Sequence, residues 1–268
     1  MSSKSKLGQN FLRDGQATQR IVAALGDIGA RTVVEIGPGK GAITEVLAAR
    51  AGKLIAIELD RELAWVLQER FSPEKGIHNV KVCRQDVLAF DFTGAAEEAG
   101  QSLVVVGNLP YYITSPILLH LAAHAASLEL AVLMVQREVA ERVTAAPGSR
   151  DYGLLSTTLQ LFGVATPIFT LPPEAFTPSP EVHSTVFRWR FAPRFQELGV
   201  DEAGFVGFLK QCFAQKRKTL ANSLRAAGFP NEELAGALNA AGIELLARAE
   251  TLPIEVFAAL YRVIQGKR

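Results

Sequence analysis

The stretch Val33-Val34-Glu35-Ile36-Gly37-Pro38-Gly39-Lys40-Gly41 places a run of β-branched residues directly before a glycine-rich loop. Such a run predicts a buried strand, and the glycines permit a tight turn that lets a ligand approach the backbone closely. The spacing is G-x-G-x-G rather than the dinucleotide-binding G-x-G-x-x-G, and Lys40 lacks the Walker spacing. The loop therefore predicts a ligand site at a strand-to-helix turn that belongs to neither of those two classes.

Short strand-like runs alternate with helical runs on both sides of this loop. The predicted strands are 32–36, 53–58, 79–83, 103–107 and 129–135, and the predicted helices include 41–50, 61–71 and 115–124. This alternation is typical of an α/β fold, in which a parallel sheet carries helices on both faces.

Residues 183–191 alternate with period two. This pattern places Phe187, Trp189 and Phe191 on one face and Arg188 and Arg190 on the other. It predicts an antiparallel strand at the edge of the sheet.

After Pro193 the pattern becomes wholly helical, with predicted helices at 201–214, 216–227, 231–241 and 253–264. We therefore expect an α/β domain over 1–192 and a small all-helical domain over 193–268.

Composition narrows the class of protein. Of 268 residues 49% are hydrophobic and 21% charged, which favours a folded globular chain. The two cysteines, Cys83 and Cys212, cannot form a disulfide framework, and the N-terminus lacks the apolar core of a secretory signal, so we expect a cytoplasmic protein. No apolar run is long enough to cross a bilayer, and the four histidines show no metal-ligand spacing, so neither a membrane nor a metal is expected.

Acidic residues stand at the ends of the first three predicted strands. Glu58 ends the second strand, where ribose hydroxyls bind in doubly wound sheets. Asp86 follows the third strand, where a carboxylate can accept a hydrogen bond from an adenine amino group, and Glu35 can face an ammonium group. Together they predict a pocket for S-adenosyl-L-methionine (AdoMet). The other interpretation is that Glu58-Leu59-Asp60 only caps the next helix and that any one of these acids is structural.

The stretch Asn108-Leu109-Pro110-Tyr111 follows the fourth predicted strand. Proline fixes the backbone, so the Asn108 amide and the Leu109 carbonyl can point the same way beside the Tyr111 ring. Two acceptors next to an aromatic face suit the amino group of a planar base. The other interpretation is an ordinary turn in which Asn108 caps the following helix.

A basic segment lies in the predicted helical domain. Between Ala203 and Asn231 there is no Asp or Glu, and the segment contains five cations: Lys210, Lys216, Arg217, Lys218 and Arg225. Clustered cations without acids predict a phosphate-binding surface for RNA, although a solvated helix face has the same composition. Lys4, Lys6 and Arg13 form a second, weaker basic group.

Four motifs in order resemble the ribosomal RNA adenine dimethyltransferases, in particular the bacterial small-subunit branch, over essentially the whole chain. They are Lys6-Leu7-Gly8-Gln9-Asn10-Phe11-Leu12, Glu35-Ile36-Gly37-Pro38-Gly39-Lys40-Gly41, Asn108-Leu109-Pro110-Tyr111-Tyr112 and Phe176-Thr177-Pro178-Ser179-Pro180-Glu181-Val182-His183-Ser184. The basic stretch Lys216-Arg217-Lys218-Thr219-Leu220, predicted as a helix, also fits the family. His183 departs from it, because many relatives carry an acid there.

The resemblance implies a Rossmann-like class I methyltransferase with a seven-stranded, mostly parallel sheet. It implies a monomeric enzyme that dimethylates N6 of two adjacent adenosines near the 3′ end of 16S rRNA, within the immature small ribosomal subunit. It places AdoMet contacts at Asn10, Leu12, Gly37, Glu58, Asp86 and Asn108. It assigns catalysis to Asn108, Leu109 and Tyr111, with Phe176 as a second ring.

Two other functions stay open from the sequence alone. One is a related methyltransferase acting on large-subunit rRNA or on DNA adenine, although Leu109 departs from the Pro-Pro-Tyr pattern of typical DNA enzymes. The other is an assembly or transcription factor that uses the same fold only for binding.

Overall fold

A computed structural model describes residues 9–266 of the chain. The chain divides into two compact units. One comprises the residues up to 140 together with 164–192, and the other comprises 141–163 together with the residues from 193 onward. The second unit thus includes 141–163, which the predicted boundary assigns to the first domain. Lys4, Lys6 and the first three residues of the motif at 6–12 lie outside the described residues.

Nine strands lie in the first unit within residues 9–266. They are β1 (Phe11–Leu12), β2 (Thr32–Ile36), β3 (Lys53–Glu58), β4 (Val80–Arg84), β5 (Leu103–Asn108), β6 (Leu128–Gln136), β7 (Gly163–Leu171), β8 (Phe176–Thr177) and β9 (Ser184–Phe191), except that Gly163, the first residue of β7, belongs to the second unit. Its helices are α1 (Gly15–Ala23), α2 (Ala42–Ala48), α3 (Arg61–Arg70), α4 (Phe92–Ala99) and α5 (Thr114–Ala123), and α6 (Arg137–Val143) runs from this unit into the second.

Seven strands form one sheet in the order β4-β3-β2-β5-β6-β9-β7. The strands β2 to β6 are mutually parallel, and β9 pairs antiparallel with β6. The chain runs outward from β2 to β4 and then restarts at β5 on the other side of β2, so the order reverses between β2 and β5. In doubly wound sheets that reversal opens a crevice at the carboxyl ends of the strands.

Continuous apolar runs explain why the central strands form the core. All five residues of β2 are buried, and so are the first five of β5. Burial of both faces is typical of parallel strands covered by helices on each side. Gly107 lets β5 lie close to β2, because a Cβ there would be 2.8 Å from the Ile36 carbonyl oxygen.

The predicted edge position of 183–191 is wrong, although its alternating pattern is confirmed. The strand β9 lies between β6 and β7, with Trp189 and Phe187 fully buried and Arg188 and Arg190 exposed. The edge is β7, which the sequence analysis did not predict. Its side chains are mostly exposed and it contains Pro167, a residue confined to edge strands because it cannot donate to the ladder.

The second unit is helical. Its helices are α7 (Leu154–Phe162), α8 (Phe195–Leu198), α9 (Glu202–Cys212), α10 (Leu220–Ala226), α11 (Asn231–Ala240) and α12 (Ile254–Gln265). Phe205 and Phe208 of α9 pack against Tyr261 of α12, whose hydroxyl donates to Asp201 Oδ1 at 2.6 Å.

The predicted helix over 216–227 is too long at its N-terminus. Helix α10 begins only at Leu220, because the Thr219 hydroxyl caps it by accepting from the Asn222 N–H. Lys216, Arg217 and Lys218 therefore form a turn before the helix, and Arg217 has φ +68°.

Within the described part of the chain, no helix has both the length and the apolar character needed to cross a bilayer.

Candidate active site

A pocket opens where the strand order reverses, at the carboxyl ends of the central strands. About 1010 Å³ of empty space, open solvent included, lies between its lining residues. It is lined by all six predicted cofactor residues and by three of the four predicted catalytic ones, and Asn108 belongs to both sets: Asn10, Leu12, Gly37, Glu58, Asp86, Asn108, Leu109 and Tyr111.

The glycine loop forms the pocket floor beneath the N-terminal segment. Gly39 has φ +57°, and a Cβ at this position would lie 2.9 Å from the Phe11 ring. Only glycine combines this left-handed backbone with such a close contact. Lys40 lies over the same ring, 4.9 Å from its centroid, so the segment that contains Asn10 is packed onto the loop.

Glu58 is fixed at the end of β3 by two backbone donors. Its Oε2 accepts from the Gly39 N–H and its Oε1 from the Asp60 N–H, both at 2.9 Å. Burial raises the pKa of Glu58, while these two hydrogen bonds act in the opposite direction. A carboxylate has about four acceptor positions, so each oxygen keeps a lone pair for a ligand hydroxyl.

Glu35 is the most perturbed acid in the pocket. Burial raises its pKa to about 8; contact with Thr44 opposes this shift and the nearby Glu58 carboxylate adds to it. Its Oε2 has no hydrogen-bond partner within residues 9–266. An unpaired buried carboxylate oxygen is costly, so this atom fits a ligand that brings a positive charge.

Asp86 lies at the exposed rim of the pocket. Its Oδ1 accepts from the Leu88 N–H at 2.9 Å and so caps a short 3₁₀ turn. This hydrogen bond orients the carboxylate without using all of its acceptor positions.

The Asn108 carboxamide is held in one orientation by the N-terminal segment. Its Nδ2 donates to the Asn10 carbonyl oxygen at 2.9 Å. Because the donor end is taken, the acceptor Oδ1 is the end left for a ligand; no described residue donates to it. The same contact explains why the motif at 6–12 and the motif at 108–112 belong to one site.

The loop after β5 is braced against the rest of the sheet. The Leu109 N–H donates to the Met134 carbonyl oxygen on β6 at 3.0 Å. The hydroxyls of Tyr111 and Ser184 lie 2.6 Å apart, and burial raises the pKa of Tyr111. Ser184 is fully buried at the start of β9, so it fixes the position of the Tyr111 ring.

Sequence reasoning assigned no role to Ser184. It did not foresee that β9 adjoins β6, which in turn adjoins β5. The pairing of β9 with β6 brings Ser184 close to the loop that carries Tyr111, and no local sequence signal gives that pairing.

Among the four predicted catalytic residues, Phe176 is the one that does not line the pocket of the described chain. It pairs with Leu12 in the small sheet of β1 and β8, and only 2% of it is exposed. In this arrangement it packs into the hydrophobic core that supports Leu12.

The five predicted RNA-binding cations are all exposed in the second unit. Lys216, Arg217 and Lys218 form the turn before α10, which we call the basic turn, and Lys210 lies on α9. Arg225 on α10 donates to Asn222 Oδ1 at 2.6 Å. The exposed cluster suits a polyanion, whose phosphates neutralise unpaired cations.

Comparisons with known proteins agree over the full chain. The family model described as ribosomal RNA adenine dimethylase matches residues 1–266. A ribosomal RNA small subunit methyltransferase A from Acidobacterium capsulatum is 59% identical over 264 residues, covering 98% of this chain and 92% of the relative. A protein of the same name from Koribacter versatilis is 48% identical over 275 residues, covering 98% and 95%.

Two solved structures extend the likeness to the fold. A dimethyladenosine transferase from Plasmodium falciparum has a TM-score of 0.81 at 25% identity, covering 96% of this chain and 98% of that one. The 23S rRNA methyltransferase ErmE has a TM-score of 0.70 at 26% identity, covering 96% and 100%.

Proposed function

Because this chain belongs to the ribosomal RNA adenine dimethylase family, we propose that it uses AdoMet to dimethylate N6 of two adjacent adenosines in 16S rRNA. The observation that carries this proposal is the Asn108 amide, which is held by the Asn10 carbonyl and lines the same pocket as Glu35 and Glu58.

The pocket residues fit the parts of AdoMet. Glu35 would pair with its ammonium group, Glu58 would accept from the ribose hydroxyls, and Asp86 would accept from the adenine amino group. Asn10, Leu12 and Gly37 would enclose it from the N-terminal segment and the glycine loop. When bound, AdoMet supplies a methyl group bonded to a positively charged sulfur. A nucleophile attacks the methyl carbon in line with the bond to sulfur, and the sulfur leaves as a neutral thioether.

Asn108 and Leu109 prepare the target amine. The adenine N6 is a poor nucleophile because its lone pair is delocalised into the ring. Hydrogen bonds from N6–H to Asn108 Oδ1 and to the Leu109 carbonyl favour a pyramidal nitrogen and localise that pair. Such orientation supplies much of the rate gain, and no dedicated base is needed because the ammonium-like product is acidic enough to lose its proton to water.

Tyr111 holds the extruded base by stacking, an interaction worth about 1–3 kcal/mol per base. The hydroxyl contact with Ser184 keeps the ring in place before the base arrives. Phe176 stays a prediction as a second ring, and from its buried position it would have to move to reach a base. After the first methylation only one N–H remains, so the pocket must also accept a methyl group where a hydrogen was.

The RNA partner in this proposal is 16S rRNA within the immature small subunit. Lys210, the basic turn and Arg225 would contact its phosphates in the second unit. We further infer that the protein acts as a monomer in the cytoplasm.

Transfer of labelled methyl groups tests the proposal. Purified protein and tritiated AdoMet are incubated with small subunits that lack adenine methylation, with free 16S rRNA and with large subunits. We expect label in the small-subunit RNA. Label only in large-subunit RNA would indicate an activity like that of the 23S rRNA methyltransferase ErmE. The absence of label in every RNA would contradict the proposed methyltransferase function.

A further inference from the structure

Three exposed arginines border one face of the sheet in the first unit, remote in sequence from the pocket motifs. They are Arg20 on α1 and Arg188 and Arg190 on β9, and we call them the arginine rim. None forms an ion pair with another residue of the described chain. Three unpaired guanidinium groups on a protein of net charge +1 are a local concentration of charge.

The register of the sheet places Arg188 and Arg190 on the same face. Arg188 lies opposite Val132 and Arg190 opposite Leu130 in the pairing of β9 with β6. Directly opposed residues in an antiparallel pair share a face. Val132 and Leu130 belong to the core cluster beneath α1, so both arginines stand beside α1.

Arg20 reaches the same border from the helix. Its guanidinium carbon lies 3.7 Å from the centroid of the Phe169 ring on β7. Phe169 packs against the cluster that contains Leu130, Val132 and Val186. The stack holds the guanidinium plane in place, and its N–H donors, which lie in that plane, stay accessible.

Acids are almost missing from the elements that form this border. Within α1, β6, β7 and β9 there is one acidic residue, Glu129. It precedes Leu130 on β6, so its side chain points to the opposite face, and it is ion-paired with Arg31. The nearest flanking acid along α1 is Asp14, whose carboxylate caps that helix.

We propose that the arginine rim binds phosphates of the rRNA, as a contact surface of the first unit additional to the basic turn. The proposal rests on the proposed rRNA activity. Guanidinium groups bind phosphate oxygens in a bidentate manner, and no acid of α1, β6, β7 or β9 lies on their face of the sheet to compete with phosphate. If the arginines served only to cover apolar residues with their aliphatic stems, replacing their charge would not change the binding of a polyanion.

The test measures the affinity for small ribosomal subunits lacking adenine methylation at several KCl concentrations. The variant Arg188→Gln/Arg190→Gln removes two positive charges, and Arg188→Lys/Arg190→Lys keeps them. The control Lys75→Gln/Lys81→Gln removes two exposed charges from the 3₁₀ turn at 73–75 and the opposite edge strand, β4. Calorimetric AdoMet binding and thermal unfolding confirm that each variant is folded.

We expect the plot of log affinity against log salt to become shallower by about 1.4–1.8 in the glutamine variant. The lysine variant and the control should keep a slope close to wild type. An unchanged slope in the glutamine variant, or an equal change of slope in the control, would refute the proposal that the arginine rim binds phosphates.

If the glutamine variant fails to fold, the same salt-dependence measurement on Arg20→Gln tests the proposal. Its slope should fall by about 0.7–0.9, and no change would overturn the proposal. Failure of the wild-type protein to methylate any RNA is a separate result, which contradicts the proposed function instead.

Discussion

Removal of the hydrogen bond between Tyr111 and Ser184 should slow methyl transfer and leave AdoMet affinity unchanged. The two oxygens lie 2.6 Å apart, and Ser184 is fully buried. Ser184→Ala leaves the tyrosine hydroxyl without its partner, and Tyr111→Phe does the same to the serine. Without this bond the ring is no longer held for stacking on the base, a contact worth about 1–3 kcal/mol, so each single variant should lower kcat/KM by roughly 5- to 150-fold.

The double variant distinguishes positioning from general damage. Once both partners are apolar no polar group is left unsatisfied, so Tyr111→Phe/Ser184→Ala should be no slower than the slower single variant. The assay is methyl transfer to small subunits, with AdoMet affinity measured by calorimetry. Ser127→Ala, which removes an exposed hydroxyl contact with Thr93, is the matched control. Effects that multiply in the double variant, or a loss of AdoMet binding, would refute the positioning role.

Three other perturbations test separate parts of the site. Asn108→Ala should bind AdoMet within a few-fold of wild type and lose about 100-fold or more in transfer rate, because one preorganised polar group is typically worth that much. Unchanged turnover in the transfer assay would contradict a catalytic role for Asn108. Glu35 has its pKa raised to about 8 by burial, so the ligand-free protein should lose stability as pH rises from 4.5 to 8, and AdoMet binding at pH 7 should release close to one proton. Calorimetry in buffers of different ionisation enthalpy measures that proton, and a wild-type release no larger than in Glu35→Gln would contradict the ammonium contact. Changing Lys216, Arg217 and Lys218 to Ala should reduce the salt slope of subunit binding by about 2–3, and an unaltered slope would exclude the basic turn as an RNA contact.

The parallel half of the fold was predictable because its signals are local. The runs at 32–36 and 53–58 coincide with β2 and β3 to the residue, since each is a continuous apolar stretch bounded by a turn. Strand β7 gave no such signal, because an exposed edge strand needs neither an apolar run nor strict alternation. The basic stretch at 216–218 has good helix formers, but the cap formed by Thr219 starts the helix only after them, at Leu220.

Much of the site was also predictable, because each strand end contributes one residue of fitting chemistry. Glu58, Asp86 and Asn108 were found in this way, and all three line the pocket. Contacts between distant segments were not predictable. The bond from Asn108 to the Asn10 carbonyl depends on tertiary packing, and so do the contact of Ser184 with Tyr111 and the burial of Phe176.

The central claim is that the product is N6,N6-dimethyladenosine at two adjacent positions of 16S rRNA. Its most direct measurement is mass spectrometry of defined fragments of that RNA, taken from cells that lack their own adenine dimethylation and express this protein. We predict two dimethylated adenosines side by side with the wild-type chain and none with Asn108→Ala. Unmodified adenosines with the wild-type chain, or the modification on large-subunit RNA alone, would contradict the account.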